Sequence, residues 1–239
     1  GDITWHYHAG IRTYPMKVAV DKKIPLVIWG EHGFGELTGL VSVNDFVEYT
    51  KWSRKEHDMR GIEPEDIVGS NNIKLEDVDP YRYPDDKDVL NLRLRGIYLG
   101  NFVDWDMKKN TEIVSKEWGF KNLRYKRDRT FNLFAKIEDH ANDIHDYMKF
   151  LKFGYGRATD DTSMEIRRGR LTRDEGKKLV EEYDANEPRT LDKYCQFLGI
   201  SKKNFYEIMD KQRDPSVWEK KNNKWVKKYD LKYEKIDES

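Results

Sequence analysis

One unbroken apolar run, Ile24-Pro25-Leu26-Val27-Ile28-Trp29, constrains the fold of this chain more than any other stretch. A continuous apolar run is typical of a strand buried on both faces, as in a parallel sheet. It follows a predicted short helix that starts at Tyr14-Pro15, where proline suits the first helical turn, and that ends near Lys22 and Lys23. A helix leading directly into a buried strand is half of a doubly wound unit, so we expect an α/β fold.

The composition predicts a folded protein with a highly charged surface. Of the 239 residues 37% are charged, but 13% are aromatic, whereas disordered chains are poor in aromatic residues. Lysine plus arginine equals aspartate plus glutamate, 44 each, and a net charge of zero argues against a general binder of nucleic acid or anionic membrane. The single cysteine, Cys195, excludes a disulfide within the chain, and no apolar run approaches the roughly 18 residues of a membrane span. We expect a cytoplasmic protein.

The apolar run ends in a glycine-rich turn, residues 30–35, that contains Glu31 and His32. Ligands of open α/β sheets bind at the carboxyl ends of the strands, so a carboxylate and an imidazole there form a candidate site. Composition leaves a second interpretation equally open, a plain turn with an exposed polar pair. His8 lies two residues from His6, but two histidines are too few for a protein zinc site. We interpret His8 as a substrate-side or packing residue.

Helices are predicted for most of the remaining chain, and they dominate its second half. Capping-box spacing predicts a helix over residues 43–59, residues 97–103 have the composition of a strand, and Asp104 or Asp106 caps a helix that ends near Trp118. Apolar residues at steps of three to four predict a helix over residues 137–151. A capping box at residues 172–175 starts the next helix, and two short helices, residues 190–198 and 201–211, are separated by Gly199.

The most unusual stretch is Lys152-Phe153-Gly154-Tyr155-Gly156-Arg157-Ala158-Thr159-Asp160-Asp161. Its two glycines let the backbone approach a ligand closely, and Lys152 and Arg157 carry charge that suits phosphate oxygens. Asp160 and Asp161 are suited to hold Mg²⁺, usually through waters, or to accept a hydrogen bond from a sugar hydroxyl. The alternative is a glycine-punctuated turn with local ion pairs, over which the chemistry gives the functional interpretation a modest advantage.

This stretch resembles the C-terminal signature of N-acetyl sugar amidotransferases, which are often described as surface-polysaccharide or pseudaminic-acid biosynthesis proteins. The resemblance extends, with gaps, over about residues 5–188. Family members commonly follow the Gly30-Glu31 pair with asparagine, whereas this chain has His32, which leaves an amide-specific role at that position without support. The further motifs that carry the resemblance are Glu165-Ile166-Arg167, Gly169-Arg170, Thr172-Arg173-Asp174-Glu175, His8-Ala9-Gly10-Ile11, Pro15 and the run from Ile24 to Glu31.

The resemblance implies a PP-loop ATP pyrophosphatase. Residues 1–135 would hold the C-terminal part of a Rossmann-like (adenine nucleotide alpha hydrolase-like) parallel sheet, and residues 136–239 a helix-rich C-terminal region. The family is thought to use ATP and Mg²⁺ to adenylate the amide oxygen of a sugar N-acetyl group. Ammonia from a separate glutaminase subunit then displaces AMP and leaves an acetamidino group on the sugar or nucleotide-sugar. Adenylation turns a poor leaving group into a good one, and preorganised cations stabilise the phosphate charge.

The resemblance also suggests roles for individual residues. Glu31 would orient ammonia or the sugar, and Lys152 and Arg157 would steady the phosphates or the developing charge, so these three are the candidate catalytic residues. Asp160 and Asp161 would bind Mg²⁺ or substrate. The full set of candidate substrate- and nucleotide-binding residues is His8, Gly30, His32, Gly154, Gly156, Thr159, Asp160 and Asp161.

Two kinds of family motif are absent from this sequence. Family members carry Ser-Gly-Gly-Lys-Asp-Ser, which cradles the pyrophosphate, and upstream Cys-x-x-Cys-like motifs, and neither occurs here. Gly33, Gly35 and Gly39 are no substitute, because they lack the accompanying lysine and serines. We therefore expect the isolated chain to be inactive, as a fragment, a split subunit that needs a separate PP-loop-bearing half, or a truncated product.

A different class of function is a binding or scaffold subunit. Residues 190–211 resemble a helix-turn-helix, with two short helices around a glycine turn, and Lys202, Lys203 and Lys211 are placed to contact phosphate. The zero net charge favours an ordinary helical hairpin instead, so we do not expect nucleic-acid binding.

Overall fold

A computed structural model describes residues 5–30 and 48–228 of the chain. Glu31, His32 and the beginning of the helix predicted over residues 43–59 lie outside the described residues. The chain forms two compact units, with the boundary between Asn110 and Thr111. The sequence predicted a domain boundary after residue 135. The protein is mixed α/β, with many helices and small sheets.

The first unit contains a three-stranded sheet beside a long helix. Helix α1 is Trp5–Asp21, and the strands are β1 (Leu26–Trp29), β2 (Glu48–Tyr49) and β3 (Arg95–Tyr98). The strand order is β1-β3-β2, in which β1 is parallel to β3 and β2 is antiparallel to it. The parallel pair that the apolar run predicted is therefore present, within a mixed sheet.

The core of this unit is aromatic and depends on Gly96 in β3. A Cβ on Gly96 would lie 2.7 Å from the Trp29 ring and 3.0 Å from Cβ of Tyr49, so glycine is required for the rings to pack on the strand. The Arg12 guanidinium lies 5.4 to 6.0 Å from three ring centroids, within cation–π range. The buried core residues are Met16, Ala19, Trp29, Tyr49, Leu94 and Tyr98.

The predictions for the first helix and the first strand are wrong in detail. The first helix begins at Trp5, so Pro15 lies in its interior instead of its first turn. The buried residues of α1, from Ala9 to Ala19, are mostly small or polar, and no apolar periodicity marks its first half. Strand β1 is not buried on both faces, because Leu26 and Ile28 are 42% and 54% exposed while Trp29 faces the core.

Short turns connect β2 to β3 through residues predicted as helix and loop. Residues 48–49 form a strand instead of the predicted helix, and helical structure begins only at Lys51. Helix α2, Asp86–Leu92, then precedes β3. The intervening turns are Lys51–Ser53 (α), Arg54–Asp58 (π), Pro64–Ile67 and Ser70–Asn72 (3-10), Leu75–Val78 (α) and Asp79–Tyr81 (3-10), and a 3-10 turn at Leu99–Asn101 follows β3.

The second unit is helical, as predicted, and ends in a hairpin. Helix α3 links the two units, and the Asp106 carboxylate accepts the N–H groups of its first turn at 3.2 and 3.3 Å, which confirms the predicted cap. A capping box between Thr172 and Glu175 starts α6, also as predicted. The elements are α3 (Met107–Trp118), α4 (Ala141–Phe153), α5 (Arg157–Arg167), α6 (Arg173–Tyr183), α7 (Leu191–Phe197), α8 (Lys202–Asp210), β4 (Trp218–Lys221) and β5 (Lys224–Lys227).

Candidate functional site

The glycines of residues 152–161 shape the turn between α4 and α5. Gly154 ends α4 in the left-handed conformation (φ 77°), and its N–H donates to the Phe150 carbonyl at 2.8 Å. A Cβ on Gly154 would lie 2.7 Å from Val217, so both backbone conformation and space demand glycine there. The predicted glycine turn is thus confirmed, with packing reasons for one of its glycines.

The backbone N–H groups at the start of α5 donate to a carboxylate of this chain. Asp184 accepts the N–H of Gly156 at 2.8 Å, the N–H of Thr159 at 3.3 Å and the Thr159 hydroxyl at 2.5 Å. A helix N-terminus favours an anion because its N–H groups lack intrahelical partners and its dipole is positive there. In this protein Asp184, 3% exposed, is that anion.

Arg157 forms a buried, bidentate ion pair with Asp146 of α4. Its Nε and Nη2 atoms each donate to the carboxylate at 3.0 Å. Burial disfavours both charges, but the pairing outweighs it, so the pKa of Asp146 is lowered and the pKa of Arg157 is raised. The predicted catalytic arginine therefore joins α4 to α5.

Asp160 and Asp161 are buried and have partners within the protein. The Lys149 ammonium lies 2.6 Å from Asp160 Oδ2, and the Thr130 hydroxyl donates to Asp161 Oδ2 at 2.5 Å. Burial raises the pKa of Asp161 to about 6, and the neighbouring Asp146 and Asp160 charges add to the rise. The described residues contain no group of three or more His, Cys, Asp or Glu side chains placed to hold a metal ion. Both carboxylates therefore have partners within the protein, and their role in holding Mg²⁺ stays a prediction.

Arg129 lies among these buried charged residues, and the sequence did not predict it as a site residue. It is fully buried, donates to the Asn186 carbonyl at 2.6 Å, and lies 5.0 Å from the Tyr147 ring centroid. A Cβ on Gly156 would approach its Nη2 atom to 2.7 Å, which explains the second glycine of the turn. No periodicity marks residues 120–135, so only the high density of arginine there could have signalled its role.

The remaining candidates lie at separate places. The Lys152 carbonyl accepts the Trp218 indole N–H at 3.2 Å, and its ammonium lies 5.3 Å from the Phe153 ring centroid. His8 and Gly30 belong to the first unit, where a Cβ on Gly30 would lie 3.5 Å from the Trp105 ring. The structure thus gathers Arg157, Asp160 and Asp161 of this stretch into one largely buried cluster with Arg129, Asp146 and Asp184, which we call the α4–α5 cluster.

A groove of about 320 Å³ lies on the other side of α5, between α5 and α6. Thr159 connects it to the α4–α5 cluster, since this residue lines the groove and also binds Asp184. Thr159 is the one candidate site residue from the sequence that lines this groove, whereas Ile166, Arg167 and Arg173 belong only to the family motifs. In the sequence, the lining residues of α5 are spaced i, i+3, i+4 and i+7. Every face of a helix has this spacing, so the pattern does not by itself indicate a groove.

A family model described as LPS biosynthesis protein WbpG-like, C-terminal domain, matches residues 111–232. The match covers half of the chain and begins at the residue where the second compact unit begins. The chain therefore belongs to this family of LPS biosynthesis proteins, and the resemblance drawn from residues 152–175 is confirmed. No curated protein matches the sequence.

The family assignment gives the protein a role in LPS biosynthesis. Within residues 5–30 and 48–228, no helix combines the length and the apolar character that a membrane crossing requires.

Proposed function

We propose that this chain forms the C-terminal part of an ATP-dependent amidotransferase that converts a sugar N-acetyl group to an acetamidino group during surface-glycan biosynthesis. The match of residues 111–232 to an LPS biosynthesis family is the observation that carries this proposal. The signature that led to it, residues 152–161, lies within the matched unit and contributes Arg157 and Asp160 to its largely buried ion pairs.

The first unit supports a Rossmann-like origin of the sheet. Strands β1 and β3 are parallel, with Trp29 opposite Tyr98, and Gly30 follows β1 at its carboxyl end. Ligands of such sheets bind at that end. In the proposal Gly30 lines the substrate site, together with Glu31 and His32.

The chain by itself does not provide a pyrophosphate-binding loop. It lacks the Ser-Gly-Gly-Lys-Asp-Ser sequence, and the N–H groups of its Gly156 turn donate to Asp184. In the proposal this loop, with ATP and Mg²⁺, comes from another part of the complete enzyme or from a separate polypeptide, and ammonia comes from a glutaminase subunit. When bound, ATP would supply the adenylyl group that activates the amide oxygen.

This chain's own contribution is then to position groups around the sugar. Arg157 and Lys149 are held by Asp146 and Asp160, so their charges are compensated within the α4–α5 cluster. We infer that this cluster fixes the geometry of α5, and that Glu31 is the residue that orients ammonia or the sugar.

The proposal is tested by AMP formation from ATP with Mg²⁺, ammonia and a panel of N-acetylated nucleotide sugars. The chain is assayed alone and with a supplied PP-loop-bearing half. We expect AMP only in the mixture, and a Glu31→Gln variant to lower it at least tenfold while the control Glu36→Gln retains it.

Two results would contradict the proposal. Robust AMP formation by the chain alone would show that the absent loop is not needed. If the mixture forms no AMP although both parts are folded, the result would favour a non-catalytic scaffold subunit instead.

A further inference from the structure

The groove between α5 and α6 owes its shape to a close approach of the two helices at Gly176. A Cβ on this glycine would lie 2.8 Å from Cδ1 of Ile166 and 3.5 Å from Cβ of Thr162. A larger residue at position 176 would have to displace the Ile166 side chain, so glycine permits this close approach of α6 to α5. Ile166 and Val180 provide apolar surface along the groove, which suits the C–H groups of a small ligand.

Three residues that carry hydroxyl groups, Thr159, Thr162 and Ser163, line the α5 side of the groove, and Thr162 is 3% exposed. Thr162 donates to the Ala158 carbonyl at 2.7 Å, and Ser163 donates to the Thr159 carbonyl at 2.7 Å. The Thr159 hydroxyl donates to Asp184. Because each proton is used within the protein, each oxygen keeps acceptor capacity for a donor on a ligand, such as a ligand hydroxyl.

Three cations, Arg167, Arg173 and Lys177, complete the lining. Residues 165–178 contain six lysines and arginines against three acidic residues, a net charge of +3 in a chain whose net charge is zero. Arginine presents a planar fork that matches carboxylate and phosphate oxygens. Lys177 also lies 3.4 Å from the Asp174 carboxylate, and the remaining excess of positive charge around the groove favours an anionic ligand.

We propose that this groove binds a small carbohydrate that carries an anionic group, either a carboxylate or a phosphate. The cations would bind the anionic group, the hydroxyl oxygens would accept the sugar hydroxyls, and the apolar strip would contact the face of the ring. The volume of about 320 Å³ is at the lower end of the range for small-molecule sites. This proposal concerns binding at the groove and does not depend on the amidotransferase reaction.

The experiment is an NMR titration of the full chain with glucuronate, glucose 6-phosphate, neutral glucose and inorganic phosphate. The variants are Arg167→Gln and Lys177→Gln. The matched control is Lys178→Gln, which makes the same charge change at the next position of α6, an exposed residue that does not line the groove. Thermal unfolding of each variant confirms that it is folded.

We expect one or both anionic sugars to bind, with shifts centred on residues 159–167 and 173–180, and the comparison of the two sugars identifies carboxylate or phosphate as the preferred group. Arg167→Gln and Lys177→Gln should each weaken binding at least fivefold, and Lys178→Gln less than twofold. Equal loss in all three variants would reduce the effect to general charge attraction and overturn the proposal. It would equally be overturned if no sugar binds at millimolar concentration, or if inorganic phosphate binds as tightly as glucose 6-phosphate.

Discussion

Asp161 should make the stability of the helical unit depend on pH in an unusual direction. Asp161 is 4% exposed, and burial raises the pKa of its carboxyl group from 3.8 to about 6 in the folded protein. The folded state therefore holds a proton that the unfolded state releases between about pH 4 and pH 6. The free energy of unfolding should fall as the pH rises through this window, and the cost of the buried charge is complete above it.

The pKa of Asp161 is about two pH units higher in the folded protein, and this rise sets the size of the effect on stability. Each unit corresponds to about 1.4 kcal/mol, so the charge costs up to about 3 kcal/mol at pH 7 relative to pH 4. An Asp161→Asn variant cannot ionise, and its amide oxygen still accepts the Thr130 hydroxyl. The variant should therefore gain stability over the wild type as the pH rises from 4 to 7.

The measurement is urea unfolding of both proteins at several values between pH 4 and pH 7. Asp192→Asn, on an exposed side chain of α7, is the control, and we expect its difference from wild type to vary by less than about 0.5 kcal/mol over this range. A constant difference between Asp161→Asn and wild type would refute the reasoning. So would a difference that shrinks as the pH rises.

Three further substitutions test the packing by the same unfolding measurement. Asp146→Asn removes the bidentate partner of buried Arg157, which keeps only Asp160 at 3.8 Å, and it should cost about 3 to 5 kcal/mol. A loss below 1 kcal/mol would mean that the pair is solvated. Asp184→Ala removes the anion at the α5 N-terminus and should cost about 1 to 3 kcal/mol, and an unchanged midpoint would contradict its capping role. Gly96→Ala should cost about 1 to 3 kcal/mol by overpacking. Its control is Gly10→Ala, where the nearest atom is 3.4 Å from the added Cβ, and this change should be neutral or stabilising by up to about 1 kcal/mol. Equal losses of stability in the two variants would refute the contrast.

The sequence predicted those features of the fold that depend on neighbours along the chain. The Thr172–Glu175 capping box, the Asp106 cap and the left-handed glycine after α4 each involve residues within four positions of one another. Such contacts repeat with fixed spacing and are visible as patterns. The parallel pairing of β1 with β3 was also predicted from the apolar run, although the run is not buried on both faces.

The features that the sequence did not predict depend on distant partners. Asp184 lies 28 residues from Gly156, and Arg129 lies 57 residues from Asn186. Neither contact produces a repeating pattern in the sequence. From the sequence alone, the charged residues of the signature could therefore be assigned to a ligand instead of to partners within the protein. Their assigned roles stay predictions, while their buried ion pairs are structural facts.

The long reach of these contacts sets the order in which the helical unit can be completed during synthesis. The α5 N-terminus has no anion until Asp184 has been made, and the end of α4 has no indole partner until Trp218 has been made, 66 residues after Lys152. Closing such loops costs entropy that only the finished contacts repay. A ribosome-bound chain that stops before residue 184 would expose polar groups that the finished protein buries, so this unit should acquire its resistance to proteolysis late in translation.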